Sequence, residues 1–192
     1  ELKGENLAAL AKGMCNLERH ISNVGKYGVS TVVAINRFTD DTDAEVELIR
    51  SSCEKLGAKV IACTHWSDGG EGTIDLANTI VDIVDNQDSG FKTLYPDDMS
   101  LWDKTRTIAK EIYGAEDIIA DDKVRKQYAH LQSLYPHFPV CMAKTQYSFS
   151  TDPNLKGAPS GHAVPVREVR LSGGAEFLVV VCGDIMTMPG LP

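Results

Sequence analysis

Residues 30–63 read STVVAINRFTDDTDAEVELIRSSCEKLGAKVIAC, and the order of patterns inside them decides the fold. Ser30–Asn36 is a short β-branched apolar run, the pattern of a strand covered on both faces. Thr42-x-x-Glu45 is a capping box, in which a hydroxyl and a carboxylate reciprocally satisfy the free N–H groups at a helix start. Val46, Ile49, Cys53 and Leu56 then recur at helical spacing, and Gly57 stops the helix. Ala58–Cys63 is a second buried strand. Strand, helix, strand in that order calls for parallel pairing through a right-handed crossover. The expected fold class is α/β, a mainly parallel sheet with flanking helices.

Working outward, residues 5–22 predict a helix with Leu7, Leu10, Met14, Leu17 and Ile21 on one stripe. Gly25 and Gly28 follow it, so the chain divides into a leading helical segment, 1–24, and an α/β part, 25–192. After Cys63 a polar loop, THWSDGGEG, leads to a helix from about Thr73, its inner face formed by Leu76, Ile80, Ile83 and Val84. DNQDSG (85–90) is a turn-rich connector. Ser100 caps a helix carrying Leu101, Ile108 and Ile112, and Glu116–Ala120 reads as a short strand. Residues 122–135 form a helix with Val124, Tyr128, Leu131 and Tyr135 on one side, ended by Pro136. Pro139–Lys144 is a strand. An 18-residue polar loop, TQYSFSTDPNLKGAPSGH (145–162), comes next, and loops of that length in compact domains are usually functional. AVPVREVRL (163–171) alternates as one strand with Arg167 and Arg170 projecting, and EFLVVVCGDI (176–185) closes the sheet.

A hydrophobic content of 43% over 192 residues suffices for one sizeable core. The net charge of −8 disfavours nucleic acid and anionic membranes, which need a basic face. No apolar run approaches the roughly 20 residues of a membrane-spanning helix. The five cysteines, Cys15, Cys53, Cys63, Cys141 and Cys182, are scattered without a CxxC pair. That pattern predicts buried free thiols in a reducing compartment. A start at Glu1 and an end at MPGLP, directly after a strong strand, read as cuts in a longer polypeptide.

The chain lacks GxxxxGK[ST], GxSxG and HExxH, and so lacks the signatures of a P-loop, a nucleophile elbow and a zincin. Parallel sheets bind ligands beyond the carboxyl ends of their strands. Here those segments are Arg37–Asp41 and Thr64–Gly72. Phe38 and Trp66 fall two and three residues past their strands. They could sandwich a planar ligand, each stacked pair contributing about 0.5–1.5 kcal/mol beyond area burial, or cap the core under a loop. SDGGEGT could be an anion-binding nest or a connector capped by Thr73. Asp40, Asp41 and Asp43 could hold Mg²⁺ or serve as first-turn acids. Lys144, Lys156, Arg167 and Arg170 could receive carboxylates or form a solvated rim.

Five strings occur in order through nearly the whole chain: VVAINRFTDDTDAE, HWSDGGEGT, MAKTQYSFSTDPNLKGAPSGH, PVREVRLSGGAEF and GDIMTMPGLP. Together they resemble the C-terminal part of the formate–tetrahydrofolate ligase family, also called 10-formyltetrahydrofolate synthetase. The resemblance implies part of a P-loop-NTPase-related multidomain enzyme that uses ATP to convert formate and tetrahydrofolate to 10-formyltetrahydrofolate through formyl phosphate. It implies that Phe38 and Trp66 hold the folate ring system and that the backbone from Ala62 to His65 lines the same pocket. Residues 25–192 would then be the folate-side domain. ATP and Mg²⁺ would be bound mainly by an N-terminal part outside this sequence, with a monovalent cation as a further candidate. No catalytic residue or metal ligand is assigned to this chain, and alone it is expected to lack ligase activity. The resemblance also implies small-molecule substrates, a cytoplasmic location and a homo-oligomer in the full-length form, without nucleic-acid or membrane partners. The alternative is a noncatalytic folate-binding or assembly domain on the same fold. A weaker reading, an ordinary nucleotide-binding α/β domain, lacks the glycine fingerprint.

Overall fold

The computed structural model describes residues 4–183. The end of the last expected strand, Asp184 and Ile185, and the MPGLP terminus lie outside the described residues. The chain falls into two compact units that part between Lys92 and Thr93.

The first unit opens with helix α1, Leu7–Gly25, whose N-cap Asn6 accepts a hydrogen bond from the Ala9 N–H. Strand β1, Val32–Asn36, and strand β2, Lys59–Cys63, pair in parallel with Val33 opposite Val60 and Asn36 opposite Cys63. Between them runs helix α2, Asp43–Glu54, started by the expected capping box of Thr42 and Glu45. Gly57, at φ +78°, takes the left-handed turn that lets the chain leave the helix. Met14 and Ile21 of α1 share one core with Cys53, Ala58 and Val60, and Val33 and Ile35 pack on it. The division expected at residues 24 and 25 therefore does not coincide with the unit boundary, because the leading helix covers the β1–β2 sheet.

Two further expectations for this unit are corrected. β1 is not covered on both faces, since Val32, Val33 and Ile35 are half-buried and Ala34 is exposed. The polar segment after Cys63 is not a loop. It folds as a short helix α3, His65–Asp68, and a 3-10 turn, Gly69–Thr73, before helix α4, Ile74–Asn86. Thr73 does not cap α4, because its hydroxyl donates to the Gly70 carbonyl at 2.9 Å. The expected inner face of α4 is also only half realised: Leu76 and Ile83 are half-buried, but Ile80 and Val84 are 44% and 72% exposed.

The second unit contains helix α5, Leu101–Glu111, capped by Ser100, which accepts from the Asp103 N–H. Strand β3, Asp117–Ile119, and helix α6, Asp122–Leu134, follow, with Asp121 capping α6 through the Val124 N–H. Strand β4 is Val140–Ala143. The expected single strand at 163–171 is two strands, β5 at Ala163–Pro165 and β6 at Glu168–Ser172. β5 pairs in parallel with β3, whereas β6 pairs antiparallel with β7, Phe177–Val181. The chain changes partner between them, as Val166 N–H donates to the Ile119 carbonyl and Arg167 N–H to the Val181 carbonyl. Pro165 has no N–H to continue a ladder, which accounts for the break. β7 does not end its sheet but lies in its middle, with β4 parallel on one side and β6 on the other.

Leu178 and Val180 of β7, Val124 and Tyr128 of α6, and Leu101 of α5 share the core of this unit. Each fully buried aliphatic side chain contributes about 1.5–3 kcal/mol. Thr105 donates to the Leu101 carbonyl at 2.8 Å and shares a hydrogen bond with the Tyr128 hydroxyl at 2.9 Å. Burial pushes the Tyr128 phenol pKa up. Lys104, fully buried, donates to the carbonyls of Pro136 (3.2 Å) and Phe138 (3.1 Å). The 145–162 loop is tied to itself: Ser148 donates to the Leu155 carbonyl at 2.6 Å, and Ser150 donates to the Asp152 carbonyl at 3.1 Å. All five cysteines are free, and Cys53, Cys63 and Cys182 are buried as expected. Cys141 is exposed and Cys15 half-buried, so the thiol expectation is corrected at those two positions. No described helix is long and apolar enough to cross a membrane.

Candidate functional site

The ends of β1 and β2 are level, and the chain leaves both at the same end of the sheet. The Arg37 N–H donates to the Cys63 carbonyl at 3.0 Å, adding one last rung beyond the strands. The turn after β1 is then fixed by Asp41, whose carboxylate accepts from the Phe38 N–H at 2.8 Å. Arg37 reaches back to Asp43 at 2.6 Å. Asp43 thus sits in the first turn of α2 as an acid paired with Arg37, and Asp41 holds the turn. Among the described residues no three His, Cys, Asp or Glu side chains gather to hold a metal ion.

The segment after β2 is held by the 3-10 turn that follows it. The Thr64 N–H donates to the Gly72 carbonyl at 3.1 Å, and the Asp68 N–H donates to the Thr64 carbonyl at 2.9 Å. A Cβ at Gly72 would stand 2.5 Å from the Thr64 carbonyl carbon and 2.6 Å from the His65 nitrogen. Only glycine lets the two backbones approach so closely. Hydrogen bonds from the Thr64 and Ser67 side chains hold the Asp68 carboxyl below its ordinary pKa.

These two turns bring Phe38 and Trp66 together, with ring centroids 6.0 Å apart and planes tilted by 58°. Phe38 is 45% and Trp66 61% exposed, so neither ring caps the core. They line a cleft of about 230 Å³ with Arg37, Thr39, Asp41, Thr64 and Ser67. Ala62 and His65 do not line it: Ala62 is half-buried on β2 opposite Ile35, and His65 is exposed on α3. Sequence reasoning included Thr64 only through its backbone and singled out neither Thr39 nor Ser67. The signal was present, since short hydroxyl side chains in strand-end turns bond to local backbone and stay at the surface. The cleft offers two aromatic faces, one guanidinium already paired with a carboxylate, and several hydroxyls. That set can bind and orient a flat polar molecule, and it contains no obvious nucleophile.

The other candidate cations are engaged elsewhere. Lys144 donates to the carbonyls of Thr145 and Ser148 and lies over the Tyr113 ring at 4.6 Å, and its burial lowers its pKa. Lys156 lies over the Tyr147 ring at 5.3 Å, and Arg170 pairs with Glu168 at 2.7 Å.

A family profile described as formate–tetrahydrofolate ligase matches residues 1–192. Among curated relatives, the formate–tetrahydrofolate ligase of Granulibacter bethesdensis is 58% identical over 192 residues, which is 100% of this chain and 34% of that protein. Those of Sinorhizobium fredii and Pelagibacter ubique are 56% and 52% identical over 193 residues, again 100% of this chain and 34% of theirs. The chain spans about a third of the length of these relatives. With one family profile covering every residue and identities above half, the chain belongs to the formate–tetrahydrofolate ligase family.

Proposed function

We propose that this chain supplies the tetrahydrofolate side of a formate–tetrahydrofolate ligase, with Phe38 and Trp66 as the two walls that grip the pterin ring system. The observation that supports it is the pairing of two exposed rings at the level ends of parallel strands. Exposed aromatic pairs are costly to leave in water without a guest. A flat guest between two rings needs near-parallel planes about 7 Å apart, twice a van der Waals spacing. The present 6.0 Å and 58° describe rings leaning on each other. Trp66, being the more exposed ring, swings to open the slot, and side-chain rotation of exposed residues is fast. Of the Ala62–His65 stretch, Thr64 lines the slot, and Ala62 and His65 adjoin it in the chain.

The chemistry assigned to the whole enzyme is ATP-dependent. Formate is a poor acyl donor because oxide would have to leave. Phosphorylation gives formyl phosphate, and the folate N10 then attacks its carbonyl carbon while phosphate departs. This chain's part is to hold the nucleophile in register, which is catalysis by positioning. ATP, Mg²⁺ and any monovalent cation belong to the remainder of a P-loop-related multidomain polypeptide, and no step here runs through them. The same reading makes the full-length enzyme a cytoplasmic homo-oligomer and the isolated chain inactive.

The test is Trp66→Ala in the full-length ligase. Loss of one stacking wall costs about 1–3 kcal/mol, by analogy with stacked bases, so KM for tetrahydrofolate rises roughly 5- to 150-fold. KM for ATP and formate stays near the parent value. An unchanged folate KM would remove these rings from the site. Trp66 fluorescence, read against Trp66→Phe because Trp102 also emits, should be quenched by a reduced folate.

A further inference from the structure

Helix α4 carries more apolar surface than its own unit covers. At about 100° per residue, Leu76, Thr79 and Ile83 project to one side, and these are the half-buried positions. Asp75, Asn78, Asp82 and Asp85 form an exposed polar face. Between the two lies an arc of about 120° made of Ile74, Ala77, Ile80, Val81 and Val84. Ile74, Val81 and Val84 are 52%, 56% and 72% exposed. A helix bordering water on one side needs only one apolar stripe, whereas an apolar surface this wide belongs to a helix enclosed between two layers. The sheet beside it shows the same incompleteness. β1 and β2 form a two-stranded parallel sheet among the described residues, and β1 has no buried residue. Parallel sheets are ordinarily extended by further strands and covered on both faces.

We infer that the Ile74–Val84 face of α4 docks against the part of the same ligase polypeptide that lies outside residues 1–192. The occupant follows from length. Relatives above half identity are about three times as long as this chain, so most of their polypeptide is elsewhere and needs surfaces to pack on. The arc carries no charge, which suits a permanent internal contact rather than a transient partner. The inference rests on reading the chain as part of a longer ligase, but not on the folate pocket.

The test uses full-length ligase with the photocrosslinking residue benzoylphenylalanine at Val84. The expected product is an intrachain link whose mapped peptide lies outside residues 1–192. A band of doubled mass would assign the face to a second copy, a link into residues 93–192 would assign it to the other unit, and no link would leave it in water. Each of these overturns the inference. A second readout serves if that variant does not fold. Val84→Cys in native full-length enzyme should react with iodoacetamide at least 100-fold more slowly than Asn78→Cys on the polar face, and equal rates would overturn it. Neither measurement involves tetrahydrofolate, so a failed folate test at Trp66 and a failed docking test are separately readable.

Discussion

Replacing Gly72 by alanine adds one methyl group where the 3-10 turn presses on the backbone of Thr64 and His65. The new carbon would lie 2.5 Å from the Thr64 carbonyl carbon, 2.6 Å from the His65 nitrogen and 2.7 Å from the Thr64 hydroxyl. Two of these three atoms are backbone, so a rotamer change cannot relieve the contact. The 3-10 turn must move away by about 0.5–1 Å, given ordinary van der Waals separations. That movement strains the Thr64 N–H to Gly72 carbonyl bond, now 3.1 Å long. Overpacking of this kind costs about 1–3 kcal/mol, and the weakened hydrogen bond about 0.5–1.5 kcal/mol more. The residues pressed upon are Thr64 and His65, directly before Trp66, so the cost appears as a misplaced ring wall. In the full-length ligase, Gly72→Ala should raise KM for tetrahydrofolate at least tenfold, with KM for ATP unchanged. Gly70→Ala is the internal control, because its added carbon meets nothing within 4 Å. It should stay within about 0.5 kcal/mol of the parent. If Gly72→Ala and Gly70→Ala behave alike in folate KM and Trp66 fluorescence, the close approach does not hold the site and the reasoning fails.

Three other outcomes follow from the structure. Lys104→Met leaves the Pro136 and Phe138 carbonyls without their donor, so chemical denaturation should show a loss of about 1–3 kcal/mol. Asp117 is held below its ordinary pKa of 3.8 mainly by the Arg106 side chain and then by the Ile118 N–H. Its contribution is therefore present above that value and is lost as pH falls through the lower folded value, so the acid limb of a stability profile should flatten in Asp117→Asn. Thiol alkylation followed by peptide mass spectrometry should label Cys141 fastest and leave Cys182 unmodified, since burial pushes the Cys182 thiol up to about 12.

The β1, α2 and β2 elements were legible because their signals are local. The Thr42–Glu45 capping box, the Val46, Ile49 and Cys53 stripe of α2 and Gly57 all act within a few residues, and the structure shows each one, whereas Leu56, expected on the same stripe, lies past the helix end and is 48% exposed. The strand-end position of Phe38 and Trp66 was legible for a related reason, since strand limits fix where loops begin. What could not be read depends on distant partners. Nothing near Val166 announces that the chain leaves β3 for β7, because that exchange is decided by the Ile119 and Val181 carbonyls. The burial of Lys104 is equally nonlocal, as its two acceptors lie more than thirty residues away. The face of α4 shows the converse. Its apolar spacing is plain in the sequence, yet the described residues leave Val84 72% exposed, so periodicity reports a helix's need for cover without saying which residues provide it.

Asn36 and Cys63 stand opposite each other in the parallel ladder. The two ring-bearing turns are therefore counted from a common origin, Phe38 two residues out and Trp66 three. A single residue inserted or deleted after β1 would shift Phe38 by up to about 3.3 Å, roughly the thickness of an aromatic ring, and one inserted or deleted at the start of α3 would turn Trp66 by about 100° around the helix. Redesign of ligand preference at this cleft is thus confined to changes of side-chain identity at fixed loop length.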